Sequence, residues 1–274
     1  MKYFHESRKY NDGLKLSCST CKNLFFQAHY HNDIEMFLIT RGTAVLGVNA
    51  EIIELSEGDI AYISSGDIHY YGSSETDHDA IMLIASAELL DFEEKNRLES
   101  VIIRKNNSLS NEIKKLLEAI YTENKDRKSG YNLFCKNYIG LIASNILRCK
   151  NEISHVIYAG QMAGHKKMME RFQNILEYID NNYENPITLA ETAELMHYSQ
   201  WHFSKIFKKL TGTNFVKYIN QKRIDQAKQL IKETDMNITS ISVSCGFENI
   251  RTFNREFKEI CGLAPKEYRR SLVV

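Results

Sequence analysis

The sequence predicts an α+β chain of two domains, an N-terminal β-barrel with following helices and a C-terminal all-α domain holding two helix-turn-helix motifs. Three observations lead there. Residues 23–85 are cut by turn residues into short β-branched or aromatic runs. From Ser110 the apolar positions change to a helical period. The last third of the chain carries one segment twice, at a fixed offset of fifty residues.

The strand runs are "IEMFLIT", "TAVLGV", "EIIEL" and "DIAYIS", separated by "RG", "NAE", "SEGD" and "SGD". Short strands at close, regular spacing suit a small barrel or sandwich. In "SNEIKKLLEAIYTEN", Ile113, Leu116, Leu117, Ile120 and Tyr121 recur at i, i+3, i+4, i+7 and i+8, the stripe of an amphipathic helix. "LFCKNYIGLIASNILRCK" follows as a second apolar helix after the breaker "KSGYN". Residues 151–167 lose the period and contain Gly160 and Gly164, so the interdomain linker is expected there. The predicted division is 1–108 for the barrel, 109–150 for the helical segment, 151–167 for the linker and 168–274 for the C-terminal domain.

Charge separates the two halves. The 35 Lys+Arg and 35 Asp+Glu of the 274-residue chain cancel. Residues 166–274 hold 17 basic against 13 acidic groups, and residues 1–165 hold 18 against 22. A basic module beside an acidic one suits a nucleic-acid reader attached to a sensor. The first residues lack the apolar core of a signal peptide, and no run is long enough to span a bilayer, so a cytoplasmic protein without a membrane partner is expected. Of six scattered cysteines only Cys18 and Cys21 form a C-x-x-C, with no second pair at zinc-ribbon spacing, so reduced structural thiols are expected.

In the repeat, Phe203 aligns with Phe253, Lys205 with Arg255, Phe207 with Phe257, Lys208 with Lys258, Gly212 with Gly262 and Tyr218 with Tyr268. Each copy has a short helix, a tight connection and a second helix, the spacing at which the second helix enters a DNA major groove. The paired phenylalanines at i, i+4 should be core. Trp201 is the single Trp, and a lone Trp is usually buried. Its repeat partner is Arg251, however, which a buried frame would not hold unpaired, so Trp201 is expected outside. There Trp201 would touch thymine methyls or sugars, and Arg251 and Arg255 would fork onto guanine edges. Lys208, Lys209 and Lys258 sit where they would neutralise phosphates.

"YSQWHFSKIFKKLTG", "RIDQAKQLI" and "CGFENIRTFNREFKEICGLAPKEYRR" closely resemble the DNA-binding domain of arabinose-regulator-type (AraC/XylS) transcription factors. The resemblance covers about residues 168–272. It implies two helix-turn-helix units joined by a central helix near Phe215–Lys232, reading successive major-groove segments of double-stranded promoter DNA. Carried over by position, Gln200, Trp201, Ser204 and Lys205 would face one segment, and Ile250, Arg251, Thr252 and Arg255 the other. Ile250 stands at a place that is often polar.

"HYHNDIEMFLITRG" carries His29, His31, Glu35 and Gly42 as H-x-H-x3-E-x6-G, and "GDIAYISSGDIHYYGS" adds Gly58, Gly66 and His69. Over residues 20–85 this resembles the two motifs of cupin barrels, with Ser64 in place of the usual Pro and Ser73 in place of the usual Asn. The resemblance implies that His29, His31, Glu35 and His69 hold a divalent metal, bind a small-molecule effector such as a carbohydrate, or fix the strands. Residues 29 and 31 alternate onto one strand face, and three imidazoles with a carboxylate suit zinc, iron, nickel or manganese. The helices after the barrel often pair subunits in this family, so Leu116, Leu117 and Ile120 are expected either to form a homodimer seam or to pack on their own barrel. The resulting expectation is an effector-sensing transcriptional regulator and not an enzyme. A metal-dependent cupin enzyme joined to a DNA-binding module is the competing reading.

Overall fold

Strand alternation sets which face of each sheet is covered. The computed structural model describes residues 14–90, 98–153, 155–157 and 163–272. Its strands are β1 (Leu16–Lys22), β2 (Phe26–His29), β3 (Asp33–Arg41), β4 (Thr43–Val48) and β5 (Glu51–Ser56), then β6 (Ile60–Ile63), β7 (His69–Gly72), β8 (Asp79–Ser86), β9 (Ser100–Ile103) and β10 (His155–Ile157). They form a six-stranded sheet in the order β1-β8-β3-β6-β9-β10 and a four-stranded sheet in the order β2-β7-β4-β5. All neighbouring strands run antiparallel.

The two sheets share an inner core of Phe37, Ile39, Ala61, Ile63 and Ile102 from the larger one with Leu46, Val48, Leu55 and Tyr71 from the smaller. The intervening residues Met36, Leu38, Tyr62, Leu83 and Val101 face the other way, into a second core built with two helices, α1 (Ser108–Asp126) and α2 (Tyr131–Arg148). The six-stranded sheet is thus covered on both faces, which is why Ile34–Ile39 of β3 are buried without a break, Glu35 among them. The exposed edge strand β5 instead alternates. The turn from β3 to β4 needs Gly42: its φ is +76°, and a Cβ there would lie 1.9 Å from the Asp77 carbonyl oxygen.

One open alternative is decided here, and one expectation is corrected. Leu117 and Ile120 have no exposure at all, and Leu116 is half-buried against the same core. Each fully buried aliphatic contributes about 1.5–3 kcal/mol by leaving water, and it does so against the barrel of its own chain. A subunit seam therefore cannot be built from Leu117 and Ile120; among the described residues of the barrel and its helices, exposed large apolar side chains include Leu133, Phe134 and Leu141 on α2 and Phe25, Phe26 and Ile52. Nor are residues 151–167 simply a linker. His155–Ile157 pairs with β9 and buries Ile157 in the inner core, and a helix has begun by Ala163. Cys18 and Cys21, three apart on a strand, fall on opposite faces of the sheet, Cys18 in the outer core and Cys21 against the inner one, so they cannot act as a pair.

The chain divides into two compact units, Met1–Gln173 with Leu210–Gly212, and Asn174–Lys209 with Thr213–Val274. The division falls within α3 (Ala163–Asn182). The second unit continues as α4 (Leu189–Leu195), α5 (Gln200–Thr211), α6 (Phe215–Glu233), α7 (Ile238–Ser244), α8 (Ile250–Cys261) and α9 (Pro265–Ser271). Both short first helices are capped from the sequence: Thr188 and Glu191 form a reciprocal capping box, and the Asn237 side chain accepts from the Ser240 N–H. Both end in the same bond, from the Tyr198 N–H to the Ala193 carbonyl and from the Phe247 N–H to the Ser242 carbonyl, each 3.0 Å. The second turn, Cys245–Asn249, is one residue longer than the first, Met196–Ser199.

Phe203 and Phe207 pack edge-on with Phe215 and Tyr218, and Phe253 and Phe257 with Phe247 and Tyr268. All four repeated phenylalanines are fully buried, as their spacing requires. The central helix α6 is tied to α3 by a buried ion pair, Lys222 with Asp180. Arg223 of α6 also donates to the carbonyls of Tyr183 and Asn185.

Candidate functional site

Two separate sites emerge, one in each unit. In the barrel, His29 and His69 are cross-strand partners on β2 and β7, Glu35 points inward from β3, and His31 lies just beyond β2. All four are at most 3% exposed. The imidazole centroids lie 4.1 Å (His29–His69), 5.0 Å (His31–His69) and 5.6 Å (His29–His31) apart. One ligand atom from each of the four residues lies within 4.8 Å of every other.

Backbone carbonyls fix which nitrogen of each ring faces inward. Nδ1 of His29 meets the Gln27 carbonyl at 2.9 Å, Nδ1 of His31 the Asp33 carbonyl at 3.0 Å, and Nδ1 of His69 the Asp67 carbonyl at 2.9 Å. A carbonyl only accepts, so each Nδ1 carries the proton and each Nε2 turns a lone pair inward in the neutral ring. The inward nitrogens meet Glu35: Nε2 of His31 is 3.1 Å and Nε2 of His69 3.6 Å from its Oε2. The buried Nε2 of His69 has no hydrogen-bond partner. Burial, reinforced by the neighbouring His69, holds His29 well below its usual range and hence neutral. Burial raises Glu35; hydrogen bonds from His31 and then His69 would hold the carboxyl well below its usual range, but the bare Nε2 lone pairs of neutral rings cannot give them, so the lowering needs positive charge among these groups. Lone pairs aimed at a carboxylate in a dry interior repel unless a positive charge lies among them.

Ser64, where cupins usually place proline, does not loosen the loop that carries His69. Its N–H donates to Ser100 Oγ at 2.8 Å and its hydroxyl to the Leu98 carbonyl at 3.0 Å. Ser65 donates to the Asn32 carbonyl, and Ser100 to Asp67. Hydrogen bonds thus hold a turn that proline would stiffen. Ser73 is exposed and takes no part. Sequence reasoning missed Tyr71, whose buried hydroxyl donates to Oε1 of Glu35. Its signal was present: Tyr71 is two residues after His69 on one strand and so shares its face.

The second site is the outer face of α5 and α8. Trp201 is 68% exposed, and the Lys205 ammonium sits 3.8 Å above its ring. Gln200, Lys208 and Lys209 are exposed beside them, and Ser204 is half-buried. On α8, Arg251, Arg255 and Lys258 are exposed and Thr252 half-buried. Asn249 caps this helix through the Thr252 N–H at 2.8 Å. Arg255 holds Oε1 of Glu256 through Nε at 3.3 Å and Nη2 at 2.8 Å, a neighbour the spacing did not single out. Ile250, half-buried like Ser204 and Thr252, packs part of its side chain against the core of Phe253 and Phe257, because an apolar side chain in the first turn gains there by leaving water.

The described helices include none long and apolar enough to cross a membrane. A sequence model of the helix-turn-helix domain matches residues 192–271, and one of the cupin domain matches residues 23–86. The multiple antibiotic resistance protein MarA of Escherichia coli is 34% identical over 96 residues, 35% of this chain and 76% of MarA. The HTH-type transcriptional regulator YobQ of Bacillus subtilis is 31% identical over 107 residues, 39% of this chain and 44% of YobQ. Among solved structures, ToxT from Vibrio cholerae aligns over 94% of this chain and 98% of its own, at 16% identity and a TM-score of 0.46.

Proposed function

The chain belongs to the arabinose-regulator (AraC/XylS) type of DNA-binding transcription factors, and from that premise we propose that its barrel is a metal-dependent sensor governing how α5 and α8 engage promoter DNA. Of these relatives, YobQ is named as an HTH-type transcriptional regulator. The observation that carries the sensor reading is the set of inward Nε2 atoms facing one carboxylate. Groups this close admit an atom-sized occupant among them, whereas a carbohydrate ring would have to lie beyond them. His29, His31 and His69 would hold the ion through Nε2 and Glu35 through Oε2. The ion supplies the positive charge that these acceptors need, and three imidazoles with a carboxylate suit zinc, iron, nickel or manganese.

For the DNA face, the repeat supports the roles. Lys205 and Arg255 occupy equivalent positions, and each is steadied by a neighbour, Trp201 in one case and Glu256 in the other. Trp201, Lys205, Arg251 and Arg255 would read bases, and Lys208, Lys209 and Lys258 would pair with phosphates. Pairing of two chains, if it uses α2, would use its exposed Leu133, Phe134 and Leu141 rather than the buried face of α1.

The test is the metal content of protein purified without a metal-affinity step, beside a His31→Ala variant. About one equivalent in the parent and none in the variant is expected for a four-ligand site. Parent and variant both free of metal, after incubation with each candidate ion and desalting, would overturn the metal sensor and leave the DNA face standing.

A further inference from the structure

We propose that Tyr71 determines which metal the barrel prefers. It does so by taking one oxygen of Glu35 out of play, so that the donor set is three nitrogens and a single oxygen. The inference rests on the metal reading above and adds a residue to it.

The side chain of Tyr71 is fixed from both sides. It is 2% exposed, its ring packs 4.7 Å from Phe37, and it stands edge-on to His69 at 6.3 Å. Its hydroxyl ends on Oε1 of Glu35, while Oε2 of the same carboxylate faces His31 and His69. The two oxygens therefore have different work: one is bound to a phenol, the other is turned to the imidazoles. A carboxylate held this way gives an ion one oxygen. Released, it can swing both oxygens onto the ion and raise its coordination number.

That difference selects among metals. Zinc is satisfied by four ligands, nitrogen-rich and tetrahedral, whereas manganese favours more ligands and more oxygen. With Tyr71 in place the chain's own donors match zinc. The hydroxyl is thus a specificity device one bond removed from the ion, acting through Glu35 as a positioning residue.

The test uses the full chain and its Tyr71→Phe variant, which keeps the ring packed against Phe37 and removes only the hydroxyl. Zinc and manganese, each alone, are titrated against a chromophoric chelator, and cobalt is added separately as a spectroscopic stand-in. The variant is expected to lose about 10–100-fold in zinc affinity, the usual effect of removing a partner of a metal ligand, while manganese affinity falls less or rises. The cobalt form of the parent should show the intense visible bands of a four-coordinate site, and the variant should show them weakened. Tyr62→Phe removes a buried phenol from the outer face of the same barrel and is expected to change neither reading. An unchanged zinc-to-manganese ratio in Tyr71→Phe, or an equal shift in Tyr62→Phe, overturns the role of Tyr71 while leaving the metal site intact. A parent that binds none of these three ions, nor iron or nickel titrated in the same way, overturns the site itself.

Discussion

Arg251 and Lys208 look alike in composition and should behave differently on DNA. Arg251 stands in the first turn of α8 and is exposed; Lys208 lies in the last turn of α5. Arg251→Ala is expected to cost about 1–3 kcal/mol on sites carrying its preferred base and to relax specificity at that position. Lys208→Ala should weaken all sequences alike and lower the slope of log affinity against log salt by about 1. Binding to a randomised double-stranded library, followed by titrations at several salt concentrations, separates the two; equal losses on every sequence from both changes would contradict the division of roles. Trp201 was legible as a surface residue because its repeat partner is an arginine, a constraint carried by the chain itself. Tyr71 was not, since a tyrosine among strand residues reads as core, and pattern gives a side chain's face but not its partner. For Ile250, position in the repeat gave its angle on the helix, while its half-burial against Phe253 and Phe257 was not legible from spacing.

At the scale of elements, periodicity located both helices after the barrel, because each buries a stripe that can be read from spacing; the paired helices came from the repeat, and the central helix from the family resemblance. It could not say what those stripes met. The stripe of α1 fits another subunit or its own barrel equally well, and only the outward residues of β3, β6, β8 and β9 decide for the barrel. Strand β10 escaped for a related reason: three residues carry no period, and His155–Ile157 becomes a strand through its pairing with β9. The join between α3 and α6 was likewise hidden, since Asp180 and Lys222 are far apart in sequence and each reads as a surface charge. Both are buried, so removing one partner strands the other. Lys222→Met should lower the unfolding free energy by about 3–5 kcal/mol, and adding Asp180→Asn should recover most of it. Chemical denaturation of both variants checks this; a fully stable single variant would show that the pair does not secure the helices.

For the whole molecule, the proposed joining of a sensor to a reader implies reciprocity. If the ion changes DNA affinity, DNA must change metal affinity by the same factor, typically about 5–150-fold for a coupled pair of sites. Affinity for a selected operator, measured with the metal-loaded and chelator-stripped protein, should differ within that range; equal affinities would leave the barrel without a regulatory part. The charge difference between the halves was legible from counting, and it fits this division of labour. The barrel site has a mechanical side as well. His29 and His69 belong to the four-stranded sheet and Glu35 to the six-stranded one, so an ion shared among them would act as a rivet through two plates. Its departure would leave the two sheets held at that point by packing and hydrogen bonds alone.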